Sequence, residues 1–149
     1  LLEYAGPKNP DTILVAMGSV IGTIKDTVFP PLDKGGLGGI EPFSPLLRGR
    51  LRGGVGILKI KCFRPFPSEQ ILKIIKAAKN VAVIDKAISL GQTGPLASDI
   101  KAAAQGKIQA NITSFIVGLG GRDITKKIIK KIIKQAGKKF DGARFIGKA

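Results

Sequence analysis

Apolar residues in this chain form short continuous runs, separated by longer stretches in which isoleucine and alanine recur every three or four positions. The runs have the length and β-branched content of strands, and the longer stretches have the period of helices. Continuous apolar strands are typical of parallel sheets that helices cover on both faces. The predicted strands are Thr12–Met17, Ile57–Phe63, Val81–Asp85 and Ile112–Val117, with short candidates at Leu1–Gly6 and at Ala143–Ile146, the last of which could instead trail along the surface.

The strand at Ile57–Phe63 differs from the other three because its polar and apolar residues alternate. Leu58, Ile60 and Cys62 share one face, and two lysines share the other. Alternation indicates one well-buried face, so we expect this strand nearer to an edge of the sheet than its neighbours. Cys62 is accordingly expected to be a buried, inert thiol.

A helical stretch follows each of the four strands, with lysines opposite its apolar stripe in the second and fourth. Ser19, Ser68 and Asp123 stand where a side chain could cap a helix, and Pro95 suits a first helical turn. Gly137 is expected to stop the last helix. Strands joined by helices through right-handed crossovers predict an α/β fold with a mostly parallel sheet.

Residues 29–54 interrupt this alternation with four prolines and seven glycines. Within them, PLDKGGLGG at 31–39 and PLLRGRLRG at 45–53 repeat the pattern Pro-Leu-x-basic-Gly-x-Leu-x-Gly. A phosphate loop is not predicted, because no Gly-Lys-Ser/Thr ending is present. We interpret residues 1–149 as a single domain with a low-complexity, Pro/Gly-rich insertion at 29–54 that contributes little to the core.

The formal net charge of +15 raises nucleic acid or an acidic protein as possible partners. The lysines are spread over the outer sides of the predicted helices rather than gathered in one block, and aromatic residues are sparse. A solvated helix face therefore explains the charge more simply, and nucleic acid is not expected as a partner. A free-standing basic binding domain for nucleic acid or an acidic protein remains the alternative.

Cysteine and histidine counts exclude several kinds of site. Cys62 is the only cysteine and histidine is absent, so an internal disulfide, a Cys/His zinc site and a cysteine-ligated iron–sulfur cluster are excluded. The absence of histidine also removes every Ser-His and Cys-His nucleophile. Only the rarer lysine or carboxylate schemes remain open for catalysis, and no catalytic, cofactor-binding or metal-binding residue is assigned.

The sequence shows no apolar run of about 18 residues and no signal-peptide pattern. We therefore expect a cytoplasmic protein with no membrane partner. Because the chain opens with Leu1 rather than Met, we also expect that it continues a longer polypeptide.

Two short motifs, RPFP and GLGGRD, lie where predicted strands end. Their residues are Arg64, Pro65, Phe66 and Pro67 in the first and Gly118, Gly120, Gly121, Arg122 and Asp123 in the second. GLGGRD could hold a dinucleotide, but the fingerprint needs glycine where Asp123 stands, so a tight turn is the simpler interpretation. RPFP is likewise explained as a stiff turn with Phe66 packed inward, although Arg64 is well placed for a ligand.

Five segments in this order resemble the C-terminal part of the α subunit of 2-oxoacid:ferredoxin oxidoreductases, most closely the pyruvate:ferredoxin enzymes. They are TILVAMGSVIGTIKD at 12–26, VGILKIKCFRPFP at 55–67, VAVID at 81–85, SLGQTGPL at 89–96 and GLGGRDIT at 118–125. The resemblance covers nearly the whole chain outside 29–54, a segment that looks longer than the family's usual link.

The resemblance implies a transketolase C-terminal-like domain, a three-layer α/β/α sandwich with a mostly parallel, about five-strand sheet and one antiparallel edge strand. The segment Leu1–Tyr4 would suit that edge. RPFP and GLGGRD carry over only as family motifs that shape strand-end loops and pack against other domains.

For the parent enzyme, the resemblance implies oxidative decarboxylation of a 2-oxoacid to acyl-CoA and CO2 with reduction of ferredoxin. The cofactors implied are thiamine diphosphate, Mg, iron–sulfur clusters and coenzyme A, and the partners implied are the remaining α-subunit domain, β, γ and δ-type subunits, and ferredoxin. This chain lacks the Gly-Asp-Gly motif for the thiamine diphosphate metal and the cluster cysteines. We therefore expect a structural or docking domain that is inactive alone.

Overall fold

Residues 1–30, 54–90, 93–140 and 142–147 are described by the computed structural model. Within them the strands are β1 (Leu2–Ala5), β2 (Thr12–Met17), β3 (Val55–Ile60), β4 (Asn80–Asp85), β5 (Asn111–Ile116) and β6 (Ala143–Phe145). The α-helices are α1 (Val20–Val28), α2 (Ser68–Ile75), α3 (Pro95–Ala104) and α4 (Lys126–Gln135), and a 3-10 turn covers Leu119–Gly121.

The six strands form one sheet in the order β1-β3-β2-β4-β5-β6. All neighbouring pairs are parallel except β1 with β3, so β1 is the antiparallel edge strand that the family resemblance implied. The Ala143–Ile146 segment adds a strand rather than trailing along the surface, and β3 lies second from the edge. The predicted α/β/α sandwich with a mostly parallel sheet is confirmed.

Helices cover both faces of the sheet and enclose two apolar cores. The first core lies between the sheet and the α1 and α4 helices, and the second core lies between the sheet and the α2 and α3 helices. The central strands are buried on both faces, as their continuous apolar runs predict: Ile13, Leu14, Val15 and Ala16 of β2 are all at 0% exposure.

The segment from the end of β3 to the start of α2 corrects three sequence-based predictions. The strand runs over Val55–Ile60 and stops where its two neighbours stop. Ile60 pairs with Leu2, the first residue of β1, and with Met17, the last residue of β2. Cys62 therefore lies beyond the strand, half-buried, and its Sγ donates to the Arg64 carbonyl at 3.1 Å instead of being buried in the core. Ser68 is the first residue of α2 rather than its cap, which is Pro67.

Side chains hold β1 against the sheet at two points. The Tyr4 ring covers Gly56, where any Cβ would overlap the phenol, and the Tyr4 hydroxyl donates to the Pro7 carbonyl at 2.6 Å. Glu3 forms salt bridges with Lys25 at 2.8 Å and Lys61 at 3.1 Å. These two lysines lower the pKa of Glu3 to about 2, with hydrogen bonding to Lys25 as the largest cause.

Apart from Phe29, Pro30 and Gly54, the insertion predicted at 29–54 lies outside the described residues. Phe29 ends α1 and packs against the first core. The Gly54 carbonyl accepts hydrogen bonds from the backbone N–H groups of Asp11 and Thr12. Among the helices that the structure describes, none has the length and apolar character needed to span a membrane.

Candidate docking surface at the carboxyl edge of the sheet

The carboxyl ends of β2, β3, β4 and β5 meet at one edge of the sheet, because these strands are parallel. The loops that follow them contain RPFP after β3 and GLGGRD after β5. In open parallel sheets this edge is where recognition surfaces lie. Both predicted motifs therefore lie on the edge that the topology favours for contacts.

Arg64 ties the RPFP loop to the first turns of α3. Its Nη1 donates to Asp99 Oδ2 at 2.8 Å and to the Phe63 carbonyl at 3.0 Å, and its guanidinium carbon lies 4.0 Å from the centre of the Phe63 ring. The Arg64 side chain is still 62% exposed, so this salt bridge contributes at most about 1 kcal/mol to stability. Several guanidinium donors remain available to a partner.

The rest of RPFP is a packed turn, as predicted. Phe66 contacts Phe63 edge to face with ring centres 5.8 Å apart, and both rings pack against the second core. Pro67 is buried, and Pro65 and Phe66 line a shallow cleft of about 330 Å³ beside Leu1.

Asp85 anchors the start of α3 and was missed by the sequence analysis. Its Oδ1 accepts from Leu96 N and its Oδ2 from Ala97 N, both at 3.2 Å. Asp85 is 7% exposed, and burial raises the pKa of its carboxyl group although the two N–H groups oppose that rise. The sequence does contain a signal for this role, because Asp85 is a charged residue at the end of the apolar run of β4.

The residues around Asp85 tie the same helix to its neighbours. Gly94 N donates to Ser114 Oγ of β5 at 3.3 Å, and a Cβ at Gly94 would overlap the Asp85 carboxylate. Ser89 bonds to the Thr93 carbonyl through both its N–H and its hydroxyl. The start of α3 is therefore connected to β4, to β5 and, through Asp99, to RPFP.

GLGGRD forms a tight turn, as its glycines predict. Gly118, Gly120 and Gly121 have φ values of 66°, 69° and 75°, a region that favours glycine. Arg122 Nη1 donates to the Gly147 carbonyl at 3.3 Å, and this turn, Arg122 and the residues around Ile146 line a cleft of about 320 Å³.

The prediction that Asp123 caps the last helix is wrong. Thr125 is the cap, and its hydroxyl accepts from Ile128 N at 3.4 Å. Ile124 packs against the first core and against Gly118, which places the next residue, Thr125, at the start of the helix. Asp123 is left exposed on the turn.

The two motifs do not form one cluster. Two strands, β2 and β4, separate β3 from β5, which puts their ends about 14 Å apart. Arg64 contacts α3, whereas Arg122 contacts the segment after β6. On the loop after β4, between them in sheet order, Ile88 is 45% exposed and Leu90 is fully exposed. The edge thus presents Arg64 on one side and Arg122 on the other side of a loop that exposes two large aliphatic side chains.

Residues 49–129, more than half of the chain, match the family model described as pyruvate:ferredoxin oxidoreductase core domain II. The chain belongs to this family. The family assignment confirms the resemblance inferred from the five sequence segments.

Two curated relatives of the chain are subunits of two different enzymes, a pyruvate synthase and a ketoisovalerate oxidoreductase. The chain is 42% identical over 142 residues to pyruvate synthase subunit PorA of Methanocaldococcus jannaschii, covering 95% of the chain and 31% of that subunit. It is 32% identical over 145 residues to ketoisovalerate oxidoreductase subunit VorA of Pyrococcus horikoshii, covering 97% of the chain and 32% of that subunit. The chain spans about a third of the length of these relatives.

Two solved structures share the fold of this core domain II. One is the 2-oxoglutarate:ferredoxin oxidoreductase from Magnetococcus marinus with 2-oxoglutarate, coenzyme A and succinyl-CoA bound, with a TM-score of 0.56, 16% identity, and coverage of 93% of this chain and 20% of that one. The other is a split-gene transketolase, an inactive β4 tetramer, with a TM-score of 0.58, 10% identity, and coverage of 91% of this chain and 41% of that one. They confirm the transketolase-like fold.

The residues of this core domain II do not fit thiamine diphosphate or an iron–sulfur cluster. The sequence has no Gly-Asp-Gly motif and a single cysteine. Across the described ranges there is also no group of three or more His, Cys, Asp or Glu side chains that could hold a metal. We therefore assign no step to this chain through those groups.

Proposed function

We propose that this chain is a non-catalytic docking domain of a 2-oxoacid:ferredoxin oxidoreductase. Its carboxyl edge packs against the remaining α-subunit domain and against β, γ and δ-type subunits. The parent enzyme oxidatively decarboxylates pyruvate to acetyl-CoA and CO2 and reduces ferredoxin in the cytoplasm. The choice of pyruvate is supported by the 42% identity to a pyruvate synthase subunit, against 32% to a ketoisovalerate oxidoreductase subunit.

The observation that carries the docking role is the exposure of Ile88 and Leu90 at the carboxyl edge. Burial of large aliphatic side chains against a partner stabilises the complex by about 25 cal/mol per Å² of apolar surface removed from water. Arg64 and Arg122 stand on either side with unused donors, and arginine is enriched in interfaces. An apolar centre with flanking arginines is the composition expected of a docking surface.

The docking domain itself is proposed to make and break no bonds. The chain contains no histidine, and its one thiol, Cys62, donates to the Arg64 carbonyl. Thiamine diphosphate, Mg, iron–sulfur clusters and coenzyme A are therefore proposed to be held by other parts of the parent enzyme.

The test uses the complete oxidoreductase that contains this chain. Ile88→Ser and Leu90→Ser together should weaken association of the subunits, which native mass spectrometry and size-exclusion chromatography over a dilution series measure. Ala87→Ser is the matched control, because it alters the same loop at an exposed small residue. A double variant that assembles as tightly as the control would contradict the proposed docking role of this edge.

A further inference from the structure

The outward face of α4 is strongly basic. Its exposed and half-exposed lysines lie within an arc of roughly 140° on a helix about 15 Å long. They are Lys126, Lys127, Lys130, Lys131 and Lys134. We call these five residues the α4 lysine face.

The opposite side of α4 fixes this orientation. Ile129, Ile132 and Ile133 are between 0% and 4% exposed and belong to the first core. Rotating the helix to hide its lysines would expose these isoleucines, so the lysines necessarily face outward.

Nothing in the described part of the chain neutralises the α4 lysine face. The salt bridges there involve Glu3, Asp11 and Asp99, and none reaches α4. Asp123 is the only acidic residue between positions 112 and 140. The neighbouring helix α1 carries Asp26, which forms no salt bridge with an α4 lysine.

The positions of these lysines also destabilise the α4 helix. Every lysine of the face has another lysine three or four positions away, and like charges at this spacing repel each other. Two lysines lie in the first turn, where the helix dipole disfavours positive charge. An anionic partner would remove both penalties.

We propose that the α4 lysine face binds an acidic protein surface. An acidic protein fits better than nucleic acid, because α4 contains neither arginine for base edges nor an aromatic side chain for stacking. The α4 lysine face is distinct from the exposed Ile88 and Leu90, because those residues follow β4 whereas α4 packs on one face of the sheet.

The test compares two triple variants of the full chain that lose equal charge. Lys127→Gln, Lys131→Gln and Lys134→Gln remove three exposed lysines of the five in the face. Lys73→Gln, Lys76→Gln and Lys107→Gln are the matched control, because these lysines are also exposed and lie outside α4. The probes are a labelled glutamate homopeptide and a labelled thymidine oligonucleotide of similar charge, measured by fluorescence anisotropy at low salt and at about 0.15 M salt.

The α4 variant should bind the glutamate peptide about tenfold more weakly than the wild-type chain, the loss expected from three ordinary surface ion pairs together. The control should lose little. Equal losses in both variants would overturn the proposal, because they would show attraction to net charge alone. Tighter binding of the oligonucleotide than of the peptide, reduced by the α4 variant, would also overturn it in favour of nucleic acid.

A second variant guards against a change in folding. Lys127→Arg, Lys131→Arg and Lys134→Arg together keep the charge and should retain peptide binding. A wild-type chain that fails to bind the peptide at low salt, or an arginine variant that loses binding while its circular dichroism is unchanged, would contradict the proposal.

Discussion

Removing the Asp85 carboxylate should destabilise the domain more than any exposed carboxylate does. In Asp85→Ala, the N–H groups of Leu96 and Ala97 lose acceptors at 3.2 Å, and both residues are buried. Each unsatisfied buried donor costs about 1–3 kcal/mol, and the loss of a buried carboxyl group that was itself costly offsets part of this. We expect a net loss of about 2–4 kcal/mol.

Urea denaturation followed by circular dichroism measures this loss. With a slope of about 1–3 kcal/mol per molar urea, the midpoint should fall by about 1 M or more. Asp26→Ala is the control, because Asp26 is exposed and should change stability by less than about 0.5 kcal/mol. Equal midpoints for the two variants would show that Asp85 does not anchor α3.

The pH dependence of the free energy of unfolding provides a second test of the role of Asp85. Burial raises the pKa of Asp85 above 3.8, so the folded state binds this proton more tightly than the unfolded state. The contribution of Asp85 to stability therefore decreases as pH rises from about the ordinary aspartate value to the raised pKa, and is constant above it. Asp85→Asn should abolish this decrease, whereas an unchanged pH profile in that variant would contradict the assignment.

Three further predictions concern β1 and the first core. The salt bridges of Glu3 stabilise the wild-type chain above pH 4.5, and this stability is lost as the pH falls toward about 2. Glu3→Gln should lack this pH-dependent stability, which the unfolding midpoint measured over a series of acid pH values shows. An acid profile identical to that of the wild type would contradict the salt-bridge account. Gly56→Ala should lower the thermal midpoint because its Cβ overlaps the Tyr4 ring, by about 1–3 kcal/mol in free energy, and an unchanged midpoint would refute that contact. Ile129→Ala should cost about 2–5 kcal/mol in urea, clearly more than Ile124→Ala outside the helix, and equal costs would place Ile129 outside the core.

The strands could be predicted from sequence because their apolar runs are continuous and β-branched. The Thr12–Met17 prediction agrees with β2 at both ends. Periodicity carries no information on which strands pair, so the expectation of an antiparallel edge strand at Leu1–Tyr4 came only from the family resemblance, and its pairing with β3 was not predicted. The alternating pattern of β3 continues to Phe63 in sequence, but the strand stops at Ile60, where its neighbours stop.

The cap of the last helix and the hydrogen bonds of Asp85 could not be predicted from the sequence. Asp123 and Thr125 are both good capping residues two positions apart, and the packing of Ile124 decides between them. The contact of Asp85 with Leu96 and Ala97 joins residues 11 and 12 positions apart across a loop. No local period encodes that contact.

Whether residues 1–149 fold as a single domain, with 29–54 as an insertion that can be shortened, remains a prediction. Four apolar strands with covering helices provide one continuous sheet and two cores. A single cooperative unfolding transition, retained when the segment is replaced by a short Gly/Ser link, is the expected result.

The central claim is that this chain docks rather than catalyses, and one comparison in the complete oxidoreductase tests it most directly. Arg64→Ala with Arg122→Ala should weaken association of the domain with the other subunits, while the melting temperature of the isolated chain changes little because both side chains are exposed. Turnover of pyruvate should return when the variant enzyme is concentrated enough to assemble fully. If the fully assembled variant has no turnover, or if the isolated chain reduces ferredoxin with pyruvate and coenzyme A, the docking account is contradicted.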